Sequence, residues 1–256
     1  MTPITLAATA TRVSREAARE TPDIETSSEA YAGRFAGPAG AWMVRAQEEA
    51  VIGLLSRWPR ATVLEVGGGH GQLTGPLVRR GYRVTVFGSE ASCRQRIAPL
   101  VTAGQCRFMT GNLLALPYPA QAFDVAVSVR LLPHLADWRR AIAEMARVAR
   151  HAVIVDYPTV RSLNALTPAL FGVKKQLEGN TRTYRSFDDR EVTEAFAAHG
   201  WARRQRIAQF FWPMVLHRTL RAPAISSALE GVPRALRLTD WVGSPAVALF
   251  VKTAHR

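Results

Sequence analysis

Lysine is nearly missing from this chain. Only Lys174, Lys175 and Lys252 are lysine, and the other 30 of the 33 basic residues are arginine. Cysteine is as scarce. Cys93 and Cys106 are too few for a disulfide framework, and no C-x-x-C pair suggests zinc. A reducing, cytoplasmic setting fits that usage. No apolar run is long enough to span a bilayer. No basic run interleaved with aromatics marks a nucleic-acid arm, so nucleic acid is not the expected partner. The opening residues, MTPITLAATATRVSR, hold no acid before Glu16 and no convincing secretory core. A transit peptide stays open, but a disordered tail is the better reading.

What is present suffices for one large core: 256 residues, 48% of them hydrophobic. The formal charge is +13, and it is spread unevenly. Residues 1–60 hold 7 basic and 7 acidic residues, residues 61–150 hold 11 and 5, and residues 151–256 hold 15 and 8. Such a field favours anionic or phenolate-like substrates, nucleic acid or an acidic membrane surface. Arginine bias also follows from genome composition, so charge alone selects none of these.

The stretch Val63–Leu73, VLEVGGGHGQL, organises the rest. Apolar Val63, Leu64 and Val66 flank Glu65 and run into Gly67, Gly69 and Gly71. An apolar run ending in glycine reads as a buried parallel strand entering a tight turn. Leu73, Leu77 and Val78, with Pro76 early among them, begin a helix. The dinucleotide fingerprint wants G-x-G-x-x-G, whereas this turn gives G-x-G-x-G with an acid two residues before it. Both features resemble motif I of the class I S-adenosylmethionine (SAM)-dependent methyltransferases. That resemblance implies SAM as cofactor, with the glycine turn against its methionine and ribose part and Glu65 approaching its amino group.

Later residues match the same family at suitable intervals. Tyr82–Phe87 reads as a second strand, and Glu90 follows 19 positions after Gly71, the interval at which an acid reaches a ribose diol. A third strand, Gln105–Thr110, precedes Asn112 and Leu113. In the family the polar side chain there commonly binds the adenine edge; the usual residue is Asp, and an amide still accepts a hydrogen bond. Phe123–Val129 is a fourth strand, whose carbonyl end, at Val129, is expected to face the sulfonium. His134 follows directly, placed to take a proton from a hydroxyl; a structural histidine capping the helix is the competing reading. Asp137–Arg150 is an amphipathic helix, Ala152–Tyr157 a fifth strand, Ser186–His199 a helix, Trp201–Trp212 a sixth strand and Pro245–Lys252 the last.

The order of elements resembles the Rossmann-like α/β fold of class I methyltransferases: seven strands, helices on both faces, and strand seven antiparallel between five and six. The expected boundaries are an N-terminal tail and helical lid over 1–60 and a methyltransferase domain over 61–256. Insertions at 158–185 and 213–244 are expected to roof the substrate site. Tyr31, Phe35, Tyr157, Phe171, Arg182 and Tyr184 are the candidate acceptor contacts, and an aromatic or aliphatic small molecule suits them. No N/D-P-P-Y tetrad follows strand four, which argues against base N-methylation. No carboxylate cluster suggests a metal. The expected function is therefore metal-independent, SAM-dependent methylation of a small molecule, on oxygen of a natural product or quinone-like acceptor. An RNA-modifying enzyme and a non-catalytic SAM-binding partner protein are the alternatives. A homodimer and a peripheral contact with a membrane or lipid-like substrate stay open.

Overall fold

A computed structural model describes residues 19–163 and 184–253. Its sheet consists of β1 (Thr62–Val66), β2 (Arg83–Gly88), β3 (Arg107–Thr110), β4 (Phe123–Ser128), β5 (Ala149–Tyr157), β6 (Trp201–Ala208) and β7 (Ala246–Lys252). Their spatial order is β3-β2-β1-β4-β5-β7-β6. The pairs among β1 to β5 are parallel, and β7 runs antiparallel to both β5 and β6. This is the expected class I methyltransferase sheet.

The inner strands β1, β4, β5 and β7 are buried on both faces over most of their length, and residue parity decides which face each side chain joins. Val63, Val125, Val127, Ile154, Val247 and Leu249 enter one core with Val51, Leu54 and Leu55 of the long helix Gly37–Leu55. Leu64, Val66, Ala126, Val153 and Phe250 enter the other with Trp138, Ile142 and Met145 of the helix Trp138–Val148. That helix starts where its sequence says it should: the Asp137 carboxylate accepts from the Arg140 amide at 3.2 Å. The helix Asp189–Ala197 carries a capping box between Asp188 and Glu191 and ends before Gly200.

Three expectations need adjustment. β6 ends at Ala208 rather than Trp212, because the chain leaves the sheet to enter three helices, Met214–Leu220, Pro223–Ala235 and Leu238–Val242. The long helix is part of the core rather than only a lid, so the boundary at residue 60 separates it from the sheet it covers. Residues 19–27 are not a loose tail. Asp23–Thr26 forms a helical turn, with Asp23 and Thr26 buried. Residues 164–183 lie outside the described residues, and with them Phe171, Arg182 and most of the expected insertion at 158–185.

Candidate cofactor and acceptor site

The glycine turn follows β1 and needs its glycines for two reasons. Gly67 and Gly71 both sit at φ +73°, a left-handed conformation that side chains disfavour. Gly68 lies directly on Glu65, so that a Cβ there would come within 2.3 Å of the Glu65 Cδ. Sequence spacing pointed to Gly67, Gly69 and Gly71; the tightest contact with the acid is at Gly68. A Cβ on Gly69 would meet Ser27 Oγ and the Cys93 carbonyl oxygen, so the N-terminal segment lies on the turn.

Glu65 is completely enclosed. Thr74 Oγ1 donates to its Oε2 at 2.7 Å, while Oε1 is buried with no partner among the described residues. Burial raises this carboxyl to about 8, opposed only by the Thr74 hydrogen bond. An ammonium group seated on the turn would supply the missing donor and favour the charged form. Gln72 Oε1 and Ser89 Oγ are further buried acceptors without partners among the described residues. This donor-poor, oxygen-lined turn fits the amino and hydroxyl groups of SAM.

The N-terminal segment straps this turn. Asp23 Oδ2 accepts from the Ser89 amide at 2.7 Å, and the Arg19 guanidinium donates to the Ser89 carbonyl. Glu20 accepts from the Ala136 and Asp137 amides at 2.6 and 2.9 Å. The segment thus ties the end of β2 to the start of the helix Trp138–Val148. Glu90 follows Ser89 and is exposed. Asn112 Oδ1 accepts from the Leu114 amide at 2.9 Å, which shapes the turn after β3. The Leu113 and Val129 side chains are core residues, so only their backbones are available to a ligand.

A second polar cluster lies beyond β4 and β5. Arg130 adopts φ +60°, rare for a side chain of its size, and its amide donates to Asp156 Oδ1 at 2.6 Å. Asp156 Oδ2 accepts from Gln47 Nε2 at 2.7 Å. Burial lifts Asp156 to about 6, against these donors and the nearby Arg130 charge. The Arg130 guanidinium lies 3.8 Å from the Phe35 ring centroid and hydrogen-bonds the Tyr31 side chain. His70, on the glycine turn, accepts from the Gln72 amide at 3.1 Å; burial, with Arg130 and Arg96 nearby, lowers it to about 3.

The candidate residues therefore divide. Tyr31 and Phe35 meet at 5.8 Å over Arg130. His134 is half-buried and lies 5.6 Å from the exposed Tyr184 ring. Tyr157 is elsewhere. Its side chain is fully buried in the core against Phe187, with its hydroxyl donating to Asp189 at 2.9 Å. Strand parity explains the correction: Asp156, one residue earlier, faces the site. Arg130, Asp156, Gln47, Asp23 and His70 escaped the sequence reading. The one available signal was a charged residue within the apolar run AVIVDY.

Residues 64–155 match the family model described as a methyltransferase domain. A malonyl-[acyl-carrier protein] O-methyltransferase of Salmonella typhimurium is 28% identical over 167 residues, covering 64% of this chain. The match spans 63% of that relative's length. Among solved structures, magnesium protoporphyrin IX methyltransferase of Synechocystis with bound SAH superposes with a TM-score of 0.61 at 13% identity, over 87% of this chain and 93% of that one. The 1,6-didemethyltoxoflavin N1-methyltransferase of Burkholderia thailandensis gives 0.55 at 18% identity, over 82% and 78%.

Proposed function

We propose that this chain, whose residues 64–155 match a methyltransferase domain, uses SAM to methylate a small molecule on oxygen, a natural product or quinone-like acceptor, without a metal. The observation that carries this reading is the enclosed Glu65 beneath the glycine turn, with an unpartnered oxygen and a protein strap above it. The names of the relatives support the finer terms: one is an O-methyltransferase, and another acts on a small heterocycle.

In this proposal Glu65 receives the amino group, Glu90 the ribose hydroxyls, Asn112 the adenine edge, and the backbones of Gly67 to Gly71, Leu113 and Val129 line the cofactor. Bound SAM supplies a methyl group already activated on sulfur. The chain's task is then to align the acceptor, exclude water and remove a proton. Tyr31 and Phe35 close the acceptor side, and Tyr184 belongs to the roof. His134 accepts the hydroxyl proton, with Tyr184 beside it orienting the acceptor. Contact with a lipid-like acceptor or membrane surface belongs to the same proposal. Ile225, Leu229, Val232 and Leu236 form one exposed stripe on the roof, and Trp241 is 76% exposed.

Turnover of labelled SAM against small-molecule extract, with total RNA as a parallel acceptor, tests the reading. Label is expected in a small molecule; label in RNA, or none in either, refutes it. His134→Ala is expected to lower turnover by about two orders of magnitude with SAM affinity unchanged. A loss of only a few-fold assigns the proton elsewhere.

A further inference from the structure

Three arginines converge on one aromatic lid. Arg130 forms the floor: it is 9% exposed, its Nη1 is buried with no hydrogen-bond partner among the described residues, and its guanidinium is covered by Phe35 and Tyr31. Among the described residues no carboxylate reaches that guanidinium within ion-pair distance; Asp156 is spent on the Arg130 amide and Gln47. Arg34 lies at the rim, 5.2 Å from the Tyr31 ring centroid; it is largely exposed and is ion-paired with Glu25 at 3.5 Å. Arg218, from the roof helix Met214–Leu220, completes the group. Burial chiefly lowers both Arg130 and Arg218, and the neighbouring charges add to it, Arg218 at Arg130 and Arg34 at Arg218.

Like charges gathered round a buried, half-satisfied guanidinium are unfavourable alone. An anion reverses the balance. It supplies the missing acceptor at Nη1 and screens the mutual repulsion, in surroundings where a guanidinium–carboxylate bond is strong. The left-handed backbone at Arg130, pinned by Asp156, is what turns the side chain under the lid. The elements meeting here are the end of β4, the lid and the roof, which are the acceptor's side of the site. We propose that Arg130, with Arg34 and Arg218 at the mouth, is the receptor for a carboxylate on the methyl acceptor. The proposal rests on the methyl-transfer reading above and adds the acceptor's class: a small organic acid.

The experiment is calorimetry on full-length protein saturated with S-adenosylhomocysteine, using 4-hydroxybenzoate and its neutral amide, 4-hydroxybenzamide, as probes. The acid is expected to bind at least about tenfold more tightly than the amide, as a charged hydrogen bond at a buried site implies. Arg130→Gln is expected to erase that preference while S-adenosylhomocysteine binding is kept. If Arg130→Gln does not fold, the exposed pair Arg34→Gln with Arg218→Gln is expected to cut the preference several-fold and leave the melting temperature in place. Equal binding of acid and amide, or a preference that survives Arg130→Gln, overturns the proposal. So does loss of S-adenosylhomocysteine binding in Arg130→Gln with acid binding intact, which assigns Arg130 to the cofactor's own carboxylate. Inorganic phosphate displacing the acid at equal concentration would replace carboxylate by phosphate as the anion recognised. Failure of the unaltered protein to bind S-adenosylhomocysteine at all would strike the methyl-transfer reading instead.

Discussion

The ends of β1 and β5 each present one buried carboxyl, and they behave differently. Glu65 has a single donor, the Thr74 hydroxyl, and is raised from 4.5 to about 8. Asp156 has the Arg130 amide, the Gln47 side chain and a nearby guanidinium charge, and rises only from 3.8 to about 6. Burial opposes charge at both; the number of donors decides how far. Glu65 is left short of a partner beneath the glycine turn among the described residues. Asp156 is saturated by the protein and serves as a scaffold for Arg130. An incomplete donor set marks a place for a ligand, and a complete one marks a support.

The largest expected effect breaks the first half of the comparison. Glu65→Ala is expected to weaken S-adenosylhomocysteine binding by about a hundredfold, the scale of a buried charged hydrogen bond. Calorimetry reads it, and an unchanged affinity would make Glu65 a structural residue like Asp156. Next, Gly68→Ala forces a Cβ against the Glu65 carboxyl and is expected to destabilise the fold by about 2–3 kcal/mol. Denaturant unfolding checks this; the same change paired with Glu65→Ala should recover part of the loss. Third, Asp156→Ala strands the Arg130 amide and the Gln47 side chain and is expected to cost about 2 kcal/mol. Asp156→Asn keeps an acceptor for the amide and is expected to cost less than about 1 kcal/mol. Equal costs would mean that the charge, not the acceptor, supports Arg130.

The smallest effect is in pH. A carboxyl raised on folding binds its proton more tightly in the native state, so stability falls as pH rises through the window between its unfolded and folded values. For Glu65 that window runs from 4.5 to about 8, and for Asp156 from 3.8 to about 6. His70 is lowered from 6.5 to about 3, so its contribution is lost as pH falls through that range. Between 6.5 and 8 only Glu65 of the three is titrating. Without cofactor, stability is expected to decline there by up to about 1.4 kcal/mol per pH unit. Glu65→Gln should flatten the melting-temperature profile between 6.5 and 8, and between 4.5 and 6.5 it should remove the Glu65 share of the slope and leave those of Asp156 and His70.

The parts legible in the sequence are those written locally. The run VLEV into glycine, the amphipathic helix that begins at Asp137 and the apolar strand cores all declare themselves within a few residues. The Asp137 carboxylate indeed accepts from the Arg140 amide at 3.2 Å. The acceptor side was harder because its partners are distant: Gln47 and Asp156 are separated by 109 positions. Tyr157 shows how little separates a right strand from a wrong side chain. The strand was placed, but alternation sends Asp156 to one face and Tyr157 to the other. Arg130 left no mark in composition, since its character comes from a left-handed backbone just after β4.

The position of β7 carries one more consequence, for how the chain is made. β6 pairs with β7 alone, and β7 fills the gap between β6 and β5. While the polypeptide emerges from the ribosome, β1 to β5 can assemble in sequence, but β5 keeps a bare edge and β6 has nothing to join. Residues 246–252 must arrive before either is satisfied. Half-made chains therefore expose an unpaired, apolar strand edge, the kind of surface that aggregates or recruits chaperones. A single late insertion closes the sheet and also draws the roof helices, which hang between β6 and β7, into place.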